Sequence, residues 1–136
     1  MAMLTEMTDG KTKKQLMDAL GQTEEEKVRE QSRKIWENVY EDGKIAKCLL
    51  GDSIWLNQNI PYEKDVLKSL ADNYYTETFQ GQMGPGMDKR IQNWINHMTG
   101  SKLKEEAGGI KTDAMTVFVL LSTAYFYDQW VTPFQE

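Results

Sequence analysis

Residues 116–134 form a long apolar run near the end of the sequence, and this run constrains the fold more than any other stretch. It is rich in β-branched and aromatic side chains, which favour strands. From residue 117 to residue 124 both alternating faces are mostly apolar, which is typical of a strand covered on both sides. The run therefore predicts a central strand, followed by Trp130 and a stop at Pro133 and Phe134. Because a chain of this size rarely ends on its most buried element, we interpret the sequence as part of a longer one.

Size and charge narrow the class of protein. With 136 residues and 40% hydrophobic side chains, the chain is long enough for one domain with one core. A net charge of -5, from 16 basic and 21 acidic residues, argues against nucleic-acid binding, which needs a dense basic face. The single cysteine, Cys48, excludes an internal disulfide framework. No export signal is visible at the start, and the longest apolar run is too short and too polar at its end to span a bilayer.

The periodicity of apolar residues predicts an α+β fold. Three-and-four spacing predicts helices in residues 12–20, 23–39, 61–74 and 87–98, and residues 1–7 look like the last turns of a helix whose beginning is missing. Thr12 with Gln15 and Thr23 with Glu26 fit capping boxes at two of the helix starts. Strands are predicted at residues 47–56, 76–80 and 116–127. A glycine within the first strand, Gly51, suggests a bulge or a close approach of another backbone.

Several segments resemble, in order and spacing, those of one family, the serpins, most of whose members inhibit serine or cysteine proteases. The segments are Met1 to Leu4 with Gly10-Lys11-Thr12 and Gln15-Leu16; Asp52-Ser53-Ile54-Trp55-Leu56; Tyr74 to Phe79; Ile91, Trp94, Ile95, Thr99, Lys102 and Leu103; and the final run through Trp130, Pro133 and Phe134. Departures occur at Gly51-Asp52, where the family has Ala-Asn, and at Gln92 and Ser101, where it has Asn and Gly.

The resemblance implies that residues 1–136 are a single partial domain, running from the end of the serpin B helix to the third strand of sheet A. About four helices would pack on a three-stranded piece of a larger mixed sheet. The reactive-centre loop and the C-terminal half of a serpin are not among these residues. The intact parent would trap proteases by inserting its cleaved loop into sheet A, and the fragment alone would be inactive. The alternative is a non-inhibitory structural or interaction module that uses the same fold.

The same resemblance implies the partners and the location. A target protease would bind the missing loop, and the open edge of residues 116–127 would pair with the rest of the parent chain or with another copy. Neither nucleic acid nor membrane is expected as a partner. The family resemblance implies an extracellular location, although these residues carry no signal peptide.

The resemblance also assigns roles to individual residues. Ser122 stands where many serpins have an asparagine that bonds across the opening sheet, and its shorter side chain weakens that latch. Trp130 resembles the tryptophan where loop insertion starts; the alternative for it is an ordinary core aromatic. Site residues for the opening of sheet A are Ser122, Thr123 and Trp130, and those for F-helix packing are Ile91, Trp94, Ile95 and Thr99. Lys27, Arg29, Arg33 and Lys34 match a helix that binds heparin in some serpins, but five glutamates on the same helix favour a salt-bridged, solvated face.

Catalytic chemistry is not predicted. His97 is the only histidine, and no serine or cysteine lies in a recognisable nucleophile motif. A charge partner at a helix C-terminus is the simpler role for His97. We therefore expect no enzyme activity, no cofactor and no metal site.

Overall fold

The computed structural model describes residues 1–130. Within them, six helices and four strands follow one another along the chain. They are α1 (Ala2–Glu6), α2 (Gly10–Ala19), α3 (Glu25–Val39), β1 (Glu41–Asp42), β2 (Lys47–Asn57), α4 (Lys64–Tyr74), β3 (Glu77–Gly81), α5 (Pro85–Met98), α6 (Lys104–Ala107) and β4 (Phe118–Tyr127).

Strand β2 holds the sheet together. It pairs with β4 in antiparallel register from Lys47 opposite Tyr127 to Leu56 opposite Phe118. It also pairs with β3 in parallel and with the two residues of β1 in antiparallel orientation. Because β4 occupies one edge of β2 over residues 47–56, β1 and β3 share the other edge. The result is a four-stranded mixed sheet.

The α+β class predicted from the sequence is confirmed, and all three predicted strands occur close to their predicted positions. The structure adds β1 and α6, which are two and four residues long and too short to show apolar periodicity. Together with α1, α6 raises the number of helices from the expected four to six. Gly51 does not form a bulge, because it keeps its register opposite Thr123.

Both predicted capping boxes are wrong. The side chain of Asp9 accepts a hydrogen bond from the Gly10 amide at 2.7 Å, so α2 begins at Gly10, two residues before Thr12. Helix α3 begins after Glu24, without a side-chain cap. The helix predicted from residue 61 begins at Lys64.

The prediction of a central strand covered on both faces is also corrected. Within the described residues β4 has one neighbour, β2, and none of its side chains is fully buried. Val119 and Leu121 pack against the helix α5 side of the sheet, whereas Phe126, on the opposite face, is 73% exposed. Helices α1 and α4 cover β2 and reach β4 through Leu120. The predicted stop at residues 133 and 134 lies outside the described residues.

Alternation along β2 builds two cores, one on each face of the sheet. Trp55 packs with α5 and α6, and its ring stacks on Phe79 of β3 with centroids 4.1 Å apart. Ile54 and Leu56 face the opposite way, toward α1 and α4. Burial of each such side chain contributes about 1.5–3 kcal/mol. The strand therefore belongs to both cores at once.

The buried carboxylate of Glu6 links three helices, α1, α3 and α4, on the face of the sheet that α1 covers. Glu6, whose side chain is 5% exposed, accepts hydrogen bonds from Arg29 of α3 at 2.8 and 2.9 Å. It also accepts from Ser69 and Tyr74 of α4. Burial raises the pKa of Glu6, but the hydrogen bonds from Arg29, Ser69 and Tyr74 outweigh it and hold the pKa below its ordinary value of 4.5. The ionised carboxylate is thus the stable form in the fold.

Replacing Glu6 by glutamine is expected to lower the free energy of unfolding by about 3 kcal/mol, because Arg29 is left partly buried without its charge partner. The pKa of Glu6 is lowered on folding, so its contribution is complete above pH 4.5 and is lost as the pH falls through the folded pKa. Urea unfolding of both proteins between pH 3 and pH 7 measures this. Glu30→Gln, which removes an exposed pair with Lys34, is the control and should change nothing measurable. Equal stability of E6Q and wild type at pH 7 would contradict the assignment.

Gly51 of β2 lies against the end of helix α5 and against β4. A Cβ built on Gly51 would lie 2.9 Å from Oγ1 of Thr123 and 3.3 Å from Cγ of Met98, the last residue of α5. Both distances are shorter than ordinary contacts to a methyl group. The sequence predicted a bulge or the close approach of another backbone, and this prediction is wrong, because the groups nearest to Gly51 are the side chains of Met98 and Thr123.

Gly51→Ala is expected to cost about 1–3 kcal/mol, because Met98 and Thr123 must move to admit the methyl group. Gly86→Ala, in the first turn of α5 with open space around it, is the matched control and should be neutral or slightly stabilising. Denaturant midpoints of the two variants measure the difference. A double-mutant cycle with Met98→Ala should show coupling, and strict additivity would locate the strain elsewhere.

Candidate functional site

The unpaired edge of β4 is the candidate functional site. The strand is ten residues long and hydrogen-bonds to β2 on one side only within residues 1–130. In an antiparallel strand, backbone groups alternate between its two edges, so the outer edge of β4 presents a row of N–H and C=O groups. Such an edge is able to accept another strand.

Helix α5 holds β4 from one face of the sheet. Ile91, Trp94 and Ile95 are buried, and the Trp94 indole donates a hydrogen bond to Glu77 of β3 at 2.8 Å. Thr99 follows the last residue of the helix, and its hydroxyl donates a hydrogen bond to the Ile95 carbonyl at 2.7 Å. The structure thus brings together the four residues expected to pack the F helix; their functional role stays a prediction.

The segment that leads from α6 into β4 is fastened at two points. Asp88, buried in the first turn of α5, accepts hydrogen bonds from the amide and the hydroxyl of Thr112 at 2.8 and 2.7 Å. The side-chain amide of Asn57, at the end of β2, donates to the carbonyl of Thr116 at 2.9 Å. These contacts set where β4 begins. Sequence reasoning missed them, because Asp88 and Thr112 are 24 residues apart in the chain.

The residues expected at the opening of the sheet are in different surroundings. Ser122 lies opposite Asp52 in the β2–β4 register. Its neighbour Thr123 donates a hydrogen bond to the Gly51 carbonyl at 3.2 Å. Trp130 follows the end of β4 and is 76% exposed, which disfavours the core alternative in this chain. Their part in sheet opening remains a prediction.

A cavity of about 270 Å³ lies beside Ser122, between the sheet and helices α1 and α3. Asp52 is one of the residues that line it, but the Oδ1 atom of its carboxylate is inaccessible and has no hydrogen-bond donor among the described residues. Burial raises the pKa of Asp52 above its ordinary value, and a hydrogen bond from the Ser122 hydroxyl opposes this effect. In the sequence, the one sign that Asp52 is unusual was the departure from the family pattern at Gly51-Asp52.

Electrostatic pairing accounts for the basic residues of α3. Each one forms an ion pair with a glutamate: Lys27 with Glu24, Arg29 with Glu6, Glu25 and Glu26, Arg33 with Glu26, and Lys34 with Glu30. This confirms the interpretation of a salt-bridged face.

Residues 1–130 contain no group of three or more His, Cys, Asp or Glu side chains placed to hold a metal ion. In the same residues, no helix has the length and apolar character needed to cross a bilayer. His97 lies in the last turn of α5, and its role as a charge partner stays a prediction.

Comparisons with known proteins agree with this geometry. Plasminogen activator inhibitor 1 of Mus musculus is 24% identical over 139 residues, which cover 100% of this chain and 35% of that protein. The thermophilic serpin tengpin in its latent state has a TM-score of 0.84 at 23% identity, covering 99% of this chain and 37% of tengpin. Cleaved kallistatin complexed with heparin has a TM-score of 0.86 at 18% identity, covering 98% and 40%.

The chain therefore spans about a third of the length of the curated relatives it matches. The family model described as Serpin (serine protease inhibitor) matches residues 1–136. The protein is a member of the serpin family.

Proposed function

We propose that the intact parent of this chain is an inhibitor of serine proteases that works by inserting its cleaved reactive-centre loop beside β4. The observation that carries the proposal is the outer edge of this ten-residue strand, which has no partner strand within residues 1–130. An inserted strand gives that edge a full hydrogen-bonded ladder, and the free energy gained holds the trapped protease in place. Ser122, Thr123 and Trp130 are the residues that respond when the sheet opens.

The fold supports this use of β4 in a second way. Val119 and Leu121 are anchored to the α5 side of the sheet, so the strand is held in place while its outer edge stays available. Thr123 adds a side-chain bond to β2. A strand that accepts a partner must itself be fixed, because a mobile edge pays more ordering entropy on pairing. The α5 contacts supply that support.

In this proposal the 136 residues do not inhibit a protease by themselves, since no segment among them resembles the reactive-centre loop. The protease is bound through that loop, and the remainder of the parent chain covers the edge of β4. The chain has no enzymatic activity of its own and acts outside the cell. Relatives named plasminogen activator inhibitor 1 and plasma serine protease inhibitor support this assignment at the level of the family.

The second candidate is a non-inhibitory serpin that uses the fold as an interaction module. It is favoured by Ser122, which replaces the asparagine that latches the sheet in many serpins. Its side chain is shorter than that of asparagine, which weakens such a latch. In that case the loop of the parent would be cleaved without entering the sheet.

The full-length gene product, incubated with trypsin-like and chymotrypsin-like proteases, is expected to form a covalent complex that survives SDS electrophoresis. The 136-residue chain should form none. Limited cleavage of the loop should raise the melting temperature of the parent, because sheet A gains a strand. Cleavage without complex formation and without a rise in melting temperature would identify the non-inhibitory alternative and overturn the proposal.

The chain on its own is expected to self-associate through β4, because the unpaired edge accepts a strand from a second copy. Sedimentation velocity at increasing concentration should show dimers or larger species, and hydrogen exchange in β4 should slow as they form. Lysines at Ala124 and Phe126 should suppress association by placing like charges along the edge.

Lysines at Val39 and Ile45 are the matched control for this experiment. These side chains are 43% and 66% exposed and belong to the end of α3 and to the segment before β2, so the substitution adds the same charge outside β4. The control should associate like wild type. Equal loss of association in both double variants, or a monomer with slow exchange in β4, would contradict pairing at the edge.

A further inference from the structure

Asp52 is an acidic residue in the middle of an apolar sheet face. Side chains two residues apart on a strand share a face, and the β2–β4 register brings the matching residues of β4 to the same face. The neighbours of Asp52 there are four aliphatic side chains: Leu50, Ile54, Leu120 and Ala124. Ser122, directly opposite, is the one polar neighbour on that face of the pair. The carboxylate is therefore surrounded mainly by groups that do not solvate a charge.

Hydrogen bonding compensates Asp52 only in part. The Ser122 hydroxyl donates a hydrogen bond to the carboxylate. The Oδ1 atom is inaccessible and has no donor among residues 1–130, and none of the ion pairs in that part of the chain includes Asp52. A buried carboxylate that lacks partners costs more free energy than the neutral acid. The ionised form of Asp52 is thus the unfavourable one in the fold.

The elements packed against Asp52 bring few charges to it. The cavity beside it, which we call the Asp52 cavity, is lined by residues of α1, α3, α4, β2 and β4, and no lysine, arginine or histidine is among them. The other groups that titrate there are the phenol of Tyr74, whose pKa burial raises, and the amine of Met1. Burial outweighs the effects of Ser122 and Met1 and keeps the pKa of Asp52 above its ordinary value of 3.8. Loss of the Met1 charge would raise that pKa further.

We propose that Asp52 and Ser122 form an acid-strengthened link between β2 and β4. When Asp52 takes up a proton, the buried charge disappears. The neutral carboxyl group still bonds to the Ser122 hydroxyl, because each of the two groups can donate or accept. The pairing of β4 with β2 is therefore tightest in acid and loosest at neutral pH. The link regulates how firmly β4 is held, whether or not a further strand pairs with its outer edge.

The direction of the pKa shift sets the pH range of the effect. The pKa of Asp52 is near 3.8 in the unfolded chain and higher in the fold. Ionisation therefore destabilises the fold above the folded pKa, and this cost disappears as the pH falls from there through 3.8. Glu6 acts in the opposite direction, because its contribution is lost below pH 4.5. Comparing wild type with an Asp52 variant at each pH cancels the contribution of Glu6.

A direct test follows the side-chain carboxyl carbon of Asp52 by NMR from pH 3 to pH 7.5 in the 136-residue chain. Asp52 is expected to titrate above 3.8. Ser122→Ala removes the donor, and acetylation of Met1 removes the charge of the amine, so each should move the titration to higher pH. A role for Ser122 in packing alone would leave the titration where it is.

Asp52→Asn imitates the neutral acid at nearly the same size. At pH 7 its unfolding equilibrium constant in urea is expected to be at least about threefold smaller than that of wild type. The β4 amides that bond to β2 should also exchange more slowly in this variant. Both differences should shrink as the pH falls toward 3.8. Asp72→Asn, which removes an exposed carboxylate paired with Lys68 on α4, is the control and should gain no stability.

Two results would overturn the proposal. One is titration of Asp52 at or below 3.8 in wild type. The other is a stability difference between D52N and wild type that stays constant between pH 7 and pH 4. Neither measurement involves a protease, so the outcome is independent of whether the parent inhibits one.

Discussion

The antiparallel pairing of β2 with β4 is the interaction on which the rest of the structure depends. It extends from Lys47 opposite Tyr127 to Leu56 opposite Phe118. Because side chains alternate along a strand, this register decides which residues face α5 and which face α1, α3 and α4. A slip of one residue would carry Trp55 out of its core and would separate Gly51 from Thr123. The two cores, the close approach of α5 and the surroundings of Asp52 all follow from one alignment.

The sequence was sufficient for the elements that have strong periodicity. The stripe of apolar residues on α5 and the runs that became β2 and β4 lie close to their predicted positions. The start of α2 was mispredicted because Asp9 caps the Gly10 amide ahead of Thr12, and the start of α3 was mispredicted because that helix has no side-chain cap. Elements as short as β1 and α6 have no period to detect. The burial of β4 was overestimated. An apolar run indicates that a strand tends to be covered, but it does not show that the covering residues belong to the same stretch of sequence.

The candidate site was likewise predictable only in part. Family resemblance located β4, Ser122 and the residues of α5, because those segments keep their spacing. The hydrogen bonds between Asp88 and Thr112 join two segments 24 residues apart. Nothing in the neighbouring sequence marks either side chain as a partner of the other. Asp52 was visible as a departure from the family pattern. Its burial and its orphan oxygen depend on α1 and α3, which only the fold places near it.

The edge of β4 and the Asp52 cavity use different parts of the same strand. Strand pairing involves the outward backbone groups of β4, whereas the cavity is lined by the side chain of Ser122 on one face. The two features meet at the pairing of β4 with β2, because Asp52 and Ser122 face each other across that pair. The alignment that places Ser122 beside Asp52 therefore also fixes which backbone groups β4 presents at its outer edge.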